Sequence, residues 1–440
     1  MRVLWRRFLR ILQMLFFVVA VLSFYIVNKH YFVLTYLLDF PKATELSPEI
    51  PRYDLQKFGV PIRAGFSKKD ITPKRFSWVA GYMPPHPALS IKDRLWVKSL
   101  AMQDKNGNQV VIVSCDIIGL LPDEIDNIFS QVKAVSKDKI FLSATHTHSG
   151  PDTIGLWGGK NKLYMETLRV KIAEAIDESI KEMRKASFRF GQGEFSGRAN
   201  GRDENPADPM VSVLQVLISQ KSDVKKESLI TLVNFACHPD VVQGLQISAD
   251  YPYFLSERLR MRLGSETMFI PAAIGGVQPE GDRKELLSYR VRTLGEDLAD
   301  AVVAIMRRPK KIQNADISVL KIKISAPFEN TKDLAKAVKF GLVTNLSNER
   351  NEVVAEVGKI TIGPLKFFTV PGELFPKIWL RVKMHDENCM IFGLTNGEFG
   401  YIMLPEDFYS GKHNYHAGVS VGPIFGQRIY EAMKKLAVEK

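Results

Sequence analysis

The sequence predicts an α/β or α+β domain built on a mixed β-sheet with flanking helices. Three short β-branched runs, Gln109–Cys115 (QVVIVSC), Lys139–Ala144 (KIFLSA) and Leu229–Ala236 (LITLVNFA), have strand character. Two longer segments between and beyond them repeat at helical spacing. In Leu163–Ala186 the repeat is carried by Leu168, Ile172, Ala175, Ile176, Ile180 and Met183. In Leu287–Met306 it is carried by Val291, Leu294, Leu298, Ala301, Val302 and Ile305. In sheets of this class, ligands gather where strands end and loops begin.

Composition bounds the problem. The chain has 440 residues, 45% of them hydrophobic and 25% charged, which excludes disorder as the main state and provides enough apolar surface for a large core. Three cysteines, Cys115, Cys237 and Cys389, cannot form a disulfide framework or a four-thiolate zinc knot. A metal would therefore be held by His, carboxylate or Tyr.

The apolar run Ile11–Val27 follows Arg2, Arg6, Arg7 and Arg10 and reads as an uncleaved signal anchor, since no small-residue cleavage site follows it. The arginine excess before the run places the N-terminus in the cytoplasm and the rest of the chain across the membrane, as an extracytoplasmic domain. Tyr31–Leu38 is apolar and aromatic but too short to span, which suits the membrane interface. Residues 1–38 are thus read as a membrane anchor. Residues 39–61, with Pro41, Pro48, Pro51 and Pro61 and no clear period, are read as a linker, and residues 62–440 as the globular domain. Five of the twelve net positive charges lie within the first 38 residues. The remainder is spread too thinly for a nucleic-acid partner, and no helix-turn-helix, zinc-finger or RNA-binding signature accompanies it.

The chemistry-bearing residues cluster after the strands. KIFLSA runs directly into Thr145-His146-Thr147-His148-Ser149-Gly150-Pro151. If extended geometry persists, His146 and His148 face one side, where two imidazoles can share a metal or divide metal binding and proton transfer between them. LITLVNFA runs into Cys237-His238-Pro239. Alone, His238 reads as a hydrogen-bonded structural residue, and H-x-H is short enough to match by accident.

The full series is more specific. It runs from Ala64-Gly65 and Asp70-Ile71-Thr72-Pro73 through Val113-Ser114-Cys115-Asp116, Ser143 to Pro151, and Asn234-Phe235-Ala236-Cys237-His238-Pro239. It continues with Val370-Pro371-Gly372-Glu373 and with Gly393-Leu394-Thr395-Asn396 leading to Gly400-Tyr401-Ile402. In this order, over roughly residues 62–438, these pieces resemble the catalytic domain of the neutral/alkaline non-lysosomal ceramidases, zinc-dependent amidases that cut the N-acyl bond of ceramide. The resemblance implies a Zn2+ centre ligated by His146, His238, Glu373 and Tyr401. It implies His148 as proton acceptor and donor, and Arg202 and Tyr415 as oxyanion stabilisers. Arg202 lies in Asn200-Gly201-Arg202, with Arg198 a competing candidate, and Tyr415 begins Tyr415-His416-Ala417-Gly418. Without the resemblance, Glu373 would read as a surface carboxylate, Tyr401 as a buried aromatic and both arginines as surface charges.

The expected function is membrane-anchored, zinc-dependent hydrolysis of ceramide or a related N-acyl lipid by a zinc-activated water. One departure bears on it. Where the family has a Gly-Asp-Val-Ser-Pro-Asn element, this chain reads Gly275-Gly276-Val277-Gln278-Pro279-Glu280, and a glutamine cannot act as a hydroxyl nucleophile. The immunoglobulin-like C-terminal domain typical of the family is expected to be lacking, since the resemblance runs to about residue 438. A zinc hydrolase acting on another ester or amide, and a non-catalytic lipid-binding relative, are the alternative readings.

Overall fold

Two sheets stack between helical layers. The computed structural model describes residues 53–219, 227–280, 287–330, 332–384, 386 and 388–439. The expected membrane segment, and the linker up to residue 52, lie outside the described residues. Among the described residues, no helix is long and apolar enough to cross a membrane.

The larger sheet has eight strands, in the order Ser265–Pro271, Ser228–Phe235, Met210–Ile218, Arg184–Glu194, Val60–Asp70, Trp96–Gln103, Gln109–Cys115 and Ile140–Ala144. Both terminal pairs are parallel, Ser228–Phe235 with Ser265–Pro271 and Gln109–Cys115 with Ile140–Ala144, and the neighbours between them are antiparallel. The smaller sheet orders Ile317–Pro327, Glu352–Ile362, Leu365–Thr369 and Cys389–Phe392, its last pair again parallel. The architecture is therefore mixed α/β, with a second sheet that the strand-like runs alone did not separate from the first.

Strand alternation accounts for the layering. Ile112, Phe141, Phe188 and Ile270 of the large sheet pack against Ile360, Phe367 and Phe392 of the small one. Their sequence neighbours Val111, Val113 and Leu142 face the opposite way, onto Leu168, Ile172 and Ile176 of helix Lys162–Lys181. Helices Tyr251–Leu263 and Leu287–Ile305 cover the other end of that face through Leu255, Leu259, Leu298 and Val302. The outer face of the small sheet is closed by helix Pro423–Val438, and Lys359 crosses there to donate its Nζ to the carbonyls of Leu436 and Glu439.

Three strand expectations match closely: Gln109–Cys115 is a strand as read, and the others are Ile140–Ala144 and Ser228–Phe235. Two boundaries differ. The helix expected over Leu163–Ala186 ends at Lys181, because Arg184–Glu194 pairs on both sides within the large sheet and that pairing overrides the apolar period. The first strand begins at Val60, with Leu55–Phe58 helical and Phe58 buried, so ordered structure starts just inside the segment assigned to the linker.

The two sheets are joined by a polar stitch. Asn234 Nδ2 donates to the carbonyls of Ile270 in the large sheet, at 3.0 Å, and Ile391 in the small sheet, at 2.9 Å, in a fully buried setting. Replacing Asn234 by Leu keeps the branching of the side chain but removes the donor to both carbonyls. The expected loss is on the order of 2 to 4 kcal/mol, measured as a lower urea midpoint with unchanged m-value. An unchanged midpoint would show that this stitch contributes nothing.

Candidate metal centre and active site

The site forms where three parallel strand pairs end. The loops leaving Cys115, Ala144, Phe235, Pro271, Thr369 and Phe392 converge there, one after each member of the three pairs. The last two loops pair briefly with each other, in a two-residue parallel ladder that sets Glu373 beside Tyr401.

Glu373 is the centre of the cluster. Its carboxylate is buried, 2.7 Å from His238 Nε2 through Oε2 and 3.6 Å from His146 Nε2 through Oε1. Each imidazole is fixed from behind by its other nitrogen: Nδ1 of His146 stands 2.6 Å from the carbonyl of Ile118, and Nδ1 of His238 stands 2.7 Å from that of Val277. A carbonyl can only accept, so each Nδ1 carries the hydrogen and each Nε2 is directed at Glu373. Tyr401 also bonds the Glu373 side chain, and burial followed by the Glu373 charge raises its phenol well above the ordinary range.

His148 completes a triangle of imidazoles. Ring centroids lie 4.9 Å apart for His146 and His148, 5.1 Å for His146 and His238, and 5.7 Å for His148 and His238. One ligand atom from each lies within 4.8 Å of the others, so His148 stands as close to a shared metal position as its two neighbours. The alternation argument for His146 and His148 does not hold: the strand stops at Ala144, and His146 has a left-handed φ of 68°. The rings share the site because the loop is held from outside. His146 N donates to Ile117 O, His148 N to Pro239 O, Thr147 Oγ1 to Ser248 O and Ser149 Oγ to Val242 O.

Burial and charge set the protonation. For Glu373 burial alone would raise the pKa, but His146 and His238 outweigh it and hold the carboxyl well below its usual range. For His238 burial acts downward, and the hydrogen bond and charge of Glu373 overcome it. For His148 burial and then the two neighbouring imidazoles hold the pKa well below the ordinary value, with Glu373 and the Gly81 backbone opposing weakly.

The donor set fits a divalent metal. Two imidazoles oriented by backbone carbonyls, a carboxylate held low despite burial, and a phenol meet at one point, and the Glu373 charge that raises the His238 pKa would equally hold a cation. His146, His238, Glu373 and Tyr401 are thus brought together. Of the remaining expected residues, Tyr415 lies at the rim, its ring 6.1 Å from Tyr401. Arg202 is exposed, and its backbone N–H donates to Gly276 O at 2.7 Å. Its charge acts on Tyr401, Tyr415 and Asp240. Arg198 instead pairs with Asp297, away from these groups.

Sequence reasoning passed over Glu398. It lines the same pocket as Glu373, and burial and then the Glu373 charge raise its carboxyl well above the usual range, which favours its protonated form. The signal was present: it stands three residues before Tyr401, inside a segment whose two ends were both singled out.

A cavity of about 70 Å³ opens onto these groups, walled by apolar side chains including Leu121, Leu156, Trp157, Leu334, Val343 and Phe399.

No family model and no curated protein matches this sequence. Solved structures do. The crystal structure of neutral ceramidase from Pseudomonas aeruginosa superposes with a TM-score of 0.72 at 17% identity, covering 86% of this chain and 74% of that one. A ceramidase complexed with C2 superposes with the same score at 16% identity, covering 86% and 75%. The chain thus has the neutral-ceramidase fold, as the motif series implied.

Gly81, at φ 100°, supports the His148 ring. A Cβ there would fall 2.5 Å from His148 Cβ and Cγ and 2.6 Å from its ring Nδ1. Gly81→Ala is expected to displace His148 selectively, seen as shifted His148 imidazole signals in NMR while those of His86 stay in place. Unshifted His148 signals would show that the ring does not rest on this residue.

Proposed function

We propose that this chain is a zinc-dependent hydrolase cleaving the N-acyl amide bond of ceramide or a related N-acyl lipid. The observation that carries this reading is the buried Glu373 carboxylate set between two oriented imidazoles beside an apolar cavity, in a chain with the neutral-ceramidase fold. Zinc held by His146, His238, Glu373 and Tyr401 would polarise the acyl carbonyl and lower the pKa of water.

The chain's own residues supply the rest. His148, kept neutral by burial, can accept a proton on a ring nitrogen and return it to the departing amine. Tyr415 is 60% exposed as a residue, but desolvation of its phenol at the rim and then the Glu373 charge raise its pKa, so it can donate to an oxyanion alongside Arg202. In its protonated form Glu398 can donate a hydrogen bond on the same side as Tyr401. The apolar wall suits an acyl chain and excludes bulk water.

Supply of a lipid substrate fits the surface around the cavity. Helix Asp333–Lys339 gives Leu334 to the wall and ends in exposed Phe340 and Leu342, with Lys332, Lys336 and Lys339 also exposed, a composition suited to an anionic lipid surface. The segment Ile11–Val27 with its arginines would anchor the domain on the far side of the membrane from a cytoplasmic N-terminus. The cavity, about 70 Å³, holds only a few waters as it stands, which favours as a second reading a smaller ester or amide substrate.

The decisive measurement is turnover of a labelled N-acyl sphingosine and of a short-chain amide at known zinc content. Wild type is expected to hydrolyse the sphingolipid. His146→Ala should lose the zinc of this centre and activity together. His148→Ala should fall by about 10² to 10⁴ at unchanged zinc. Gln278→Ala should fall by roughly tenfold at most, since its side chain supplies one neutral hydrogen bond. Turnover of the short amide alone would select the second reading. An inert wild type rescued by Gln278→Ser would make this chain a natural loss-of-function relative.

A further inference from the structure

A second group of donors stands behind the first. His416, on the short helix Asn414–Gly418, is 1% exposed and packs edge-on against Tyr401, with ring centroids 4.6 Å apart. Among the described residues neither of its ring nitrogens has a hydrogen-bond partner, and neither has Nδ1 of the buried His413. Leaving such buried groups unmet costs about 1 to 3 kcal/mol each. Asp203 brings its carboxylate to 3.8 Å from His416 Nδ1, and one ligand atom each from Asp203, His413 and His416 lies within 4.8 Å of the others.

We propose that Asp203, His413 and His416 form a second divalent-cation site, with zinc as its preferred metal, distinct from the Glu373 centre. Two imidazoles and a carboxylate are a zinc donor set and leave a fourth position for water. No residue is shared with the first set. His416 is ready to ligate, since both of its buried ring nitrogens lack a hydrogen-bond partner among the described residues. His413 is backed by Asp407, whose Oδ1 lies 3.8 Å from its Nε2 and also binds Lys377, an outer carboxylate of the kind that orients metal-ligating histidines. Gly276 leaves room at His416 Nε2, where a Cβ would come within 3.4 Å.

Closing the site requires a small movement. Zinc bonds of about 2.0 to 2.1 Å would bring the donors to roughly 3.4 Å from one another. Asp203 can supply the shift, being 42% exposed and on the surface side of the two buried rings. The neighbouring Arg202 charge acts against a cation here, which selects a metal bound by strong imidazole ligation over one held by charge alone. Because His416 packs on Tyr401 and adjoins Tyr415, a metal at this position would brace the rim of the catalytic pocket.

The test counts metal. Purified metal-free protein is titrated with zinc, and bound zinc is measured by elemental analysis after gel filtration. Wild type is expected to hold two equivalents, His146→Ala one, Asp203→Ala one at zinc concentrations that saturate the first site, and the double variant none. Loss of the Asp203 ligand should weaken its site by about a hundredfold or more. Asp203 is exposed, so this variant should fold, and His413→Gln with cobalt in place of zinc gives a second reading through loss of one set of visible absorption bands. One equivalent in wild type, removed by His146→Ala and untouched by Asp203→Ala, would overturn the proposal while leaving the first centre standing. Two equivalents insensitive to both Asp203→Ala and His413→Gln would overturn it as well. Failure of the first centre would show separately, as stoichiometry unaffected by His146→Ala.

Discussion

The organisation of this domain turns on one buried negative charge. Placing a carboxylate in the interior costs several kcal/mol unless charge and hydrogen bonds compensate it. Around Glu373 the compensation is supplied by His146 and His238, at 3.6 and 2.7 Å, with Tyr401 alongside. The same requirement explains why Gly275 stands where it does. The backbone of Glu373 and Leu374 presses against it so closely that a Cβ would lie 2.5 Å from the Glu373 carbonyl oxygen, and Gly275 N–H donates to Leu374 O. Glu398, 8% exposed, shows the complementary solution to a second buried carboxyl beside the first: its raised pKa favours the protonated form.

The fold delivers the compensating groups through backbone as much as through side chains. Parallel strands end in register, so loops leaving adjacent strands start side by side, and each of the three parallel pairs contributes two of them. Polar residues in these loops mostly hold chain to chain. Asn396 closes the edge of strand Ile140–Ala144, accepting from Leu142 N–H and donating to Ile140 O. Asp152 accepts from four backbone N–H groups, of Ile154, Gly155, Trp157 and Gly159, and so shapes the loop that walls the cavity. Such residues give the loops the rigidity that charged ligands at 3 Å require.

This division decided what was legible in the sequence. Strands with continuous β-branched runs could be read almost to the residue, because burial on both faces leaves no other composition. The helix from Lys162 was placed but overrun, since nothing local marks where sheet pairing takes Arg184 away from it. The four expected ligands came from the resemblance, not from spacing: 227 residues separate His146 from Glu373, and a loop-borne His146 with left-handed φ has no periodic signature. Arg202 was preferred to Arg198 through the resemblance alone; in the fold Arg198 pairs with Asp297, while the charge of Arg202 acts on Tyr401 and Tyr415. His413 and His416 drew no attention because buried histidines are usually satisfied, and only coordinates reveal that these nitrogens lack partners.

Gln278 shows how the centre tolerates the sequence departure. The residue that orients His238 is its neighbour Val277, and it does so with a backbone carbonyl, which receives both the His238 ring Nδ1–H and the His238 backbone N–H. That service depends on the path of the chain at residue 277 and not on the side chain that follows. The path is set by Gly275 and Gly276 and by the ladder to Ala199–Gly201. The Gln278 side chain is turned to a different task, donating through Nε2 to Asp240 at 3.2 Å; the Asp240 carbonyl in turn accepts from Tyr82. A serine is too short to span that distance from the same backbone, so the exchange alters the contacts of Asp240 and not the backbone carbonyl that orients His238. The departure from the family pattern therefore falls on the contacts of Asp240, while the hydrogen bonds that orient His238 toward Glu373 come from the backbone of Val277 and from Glu373 itself.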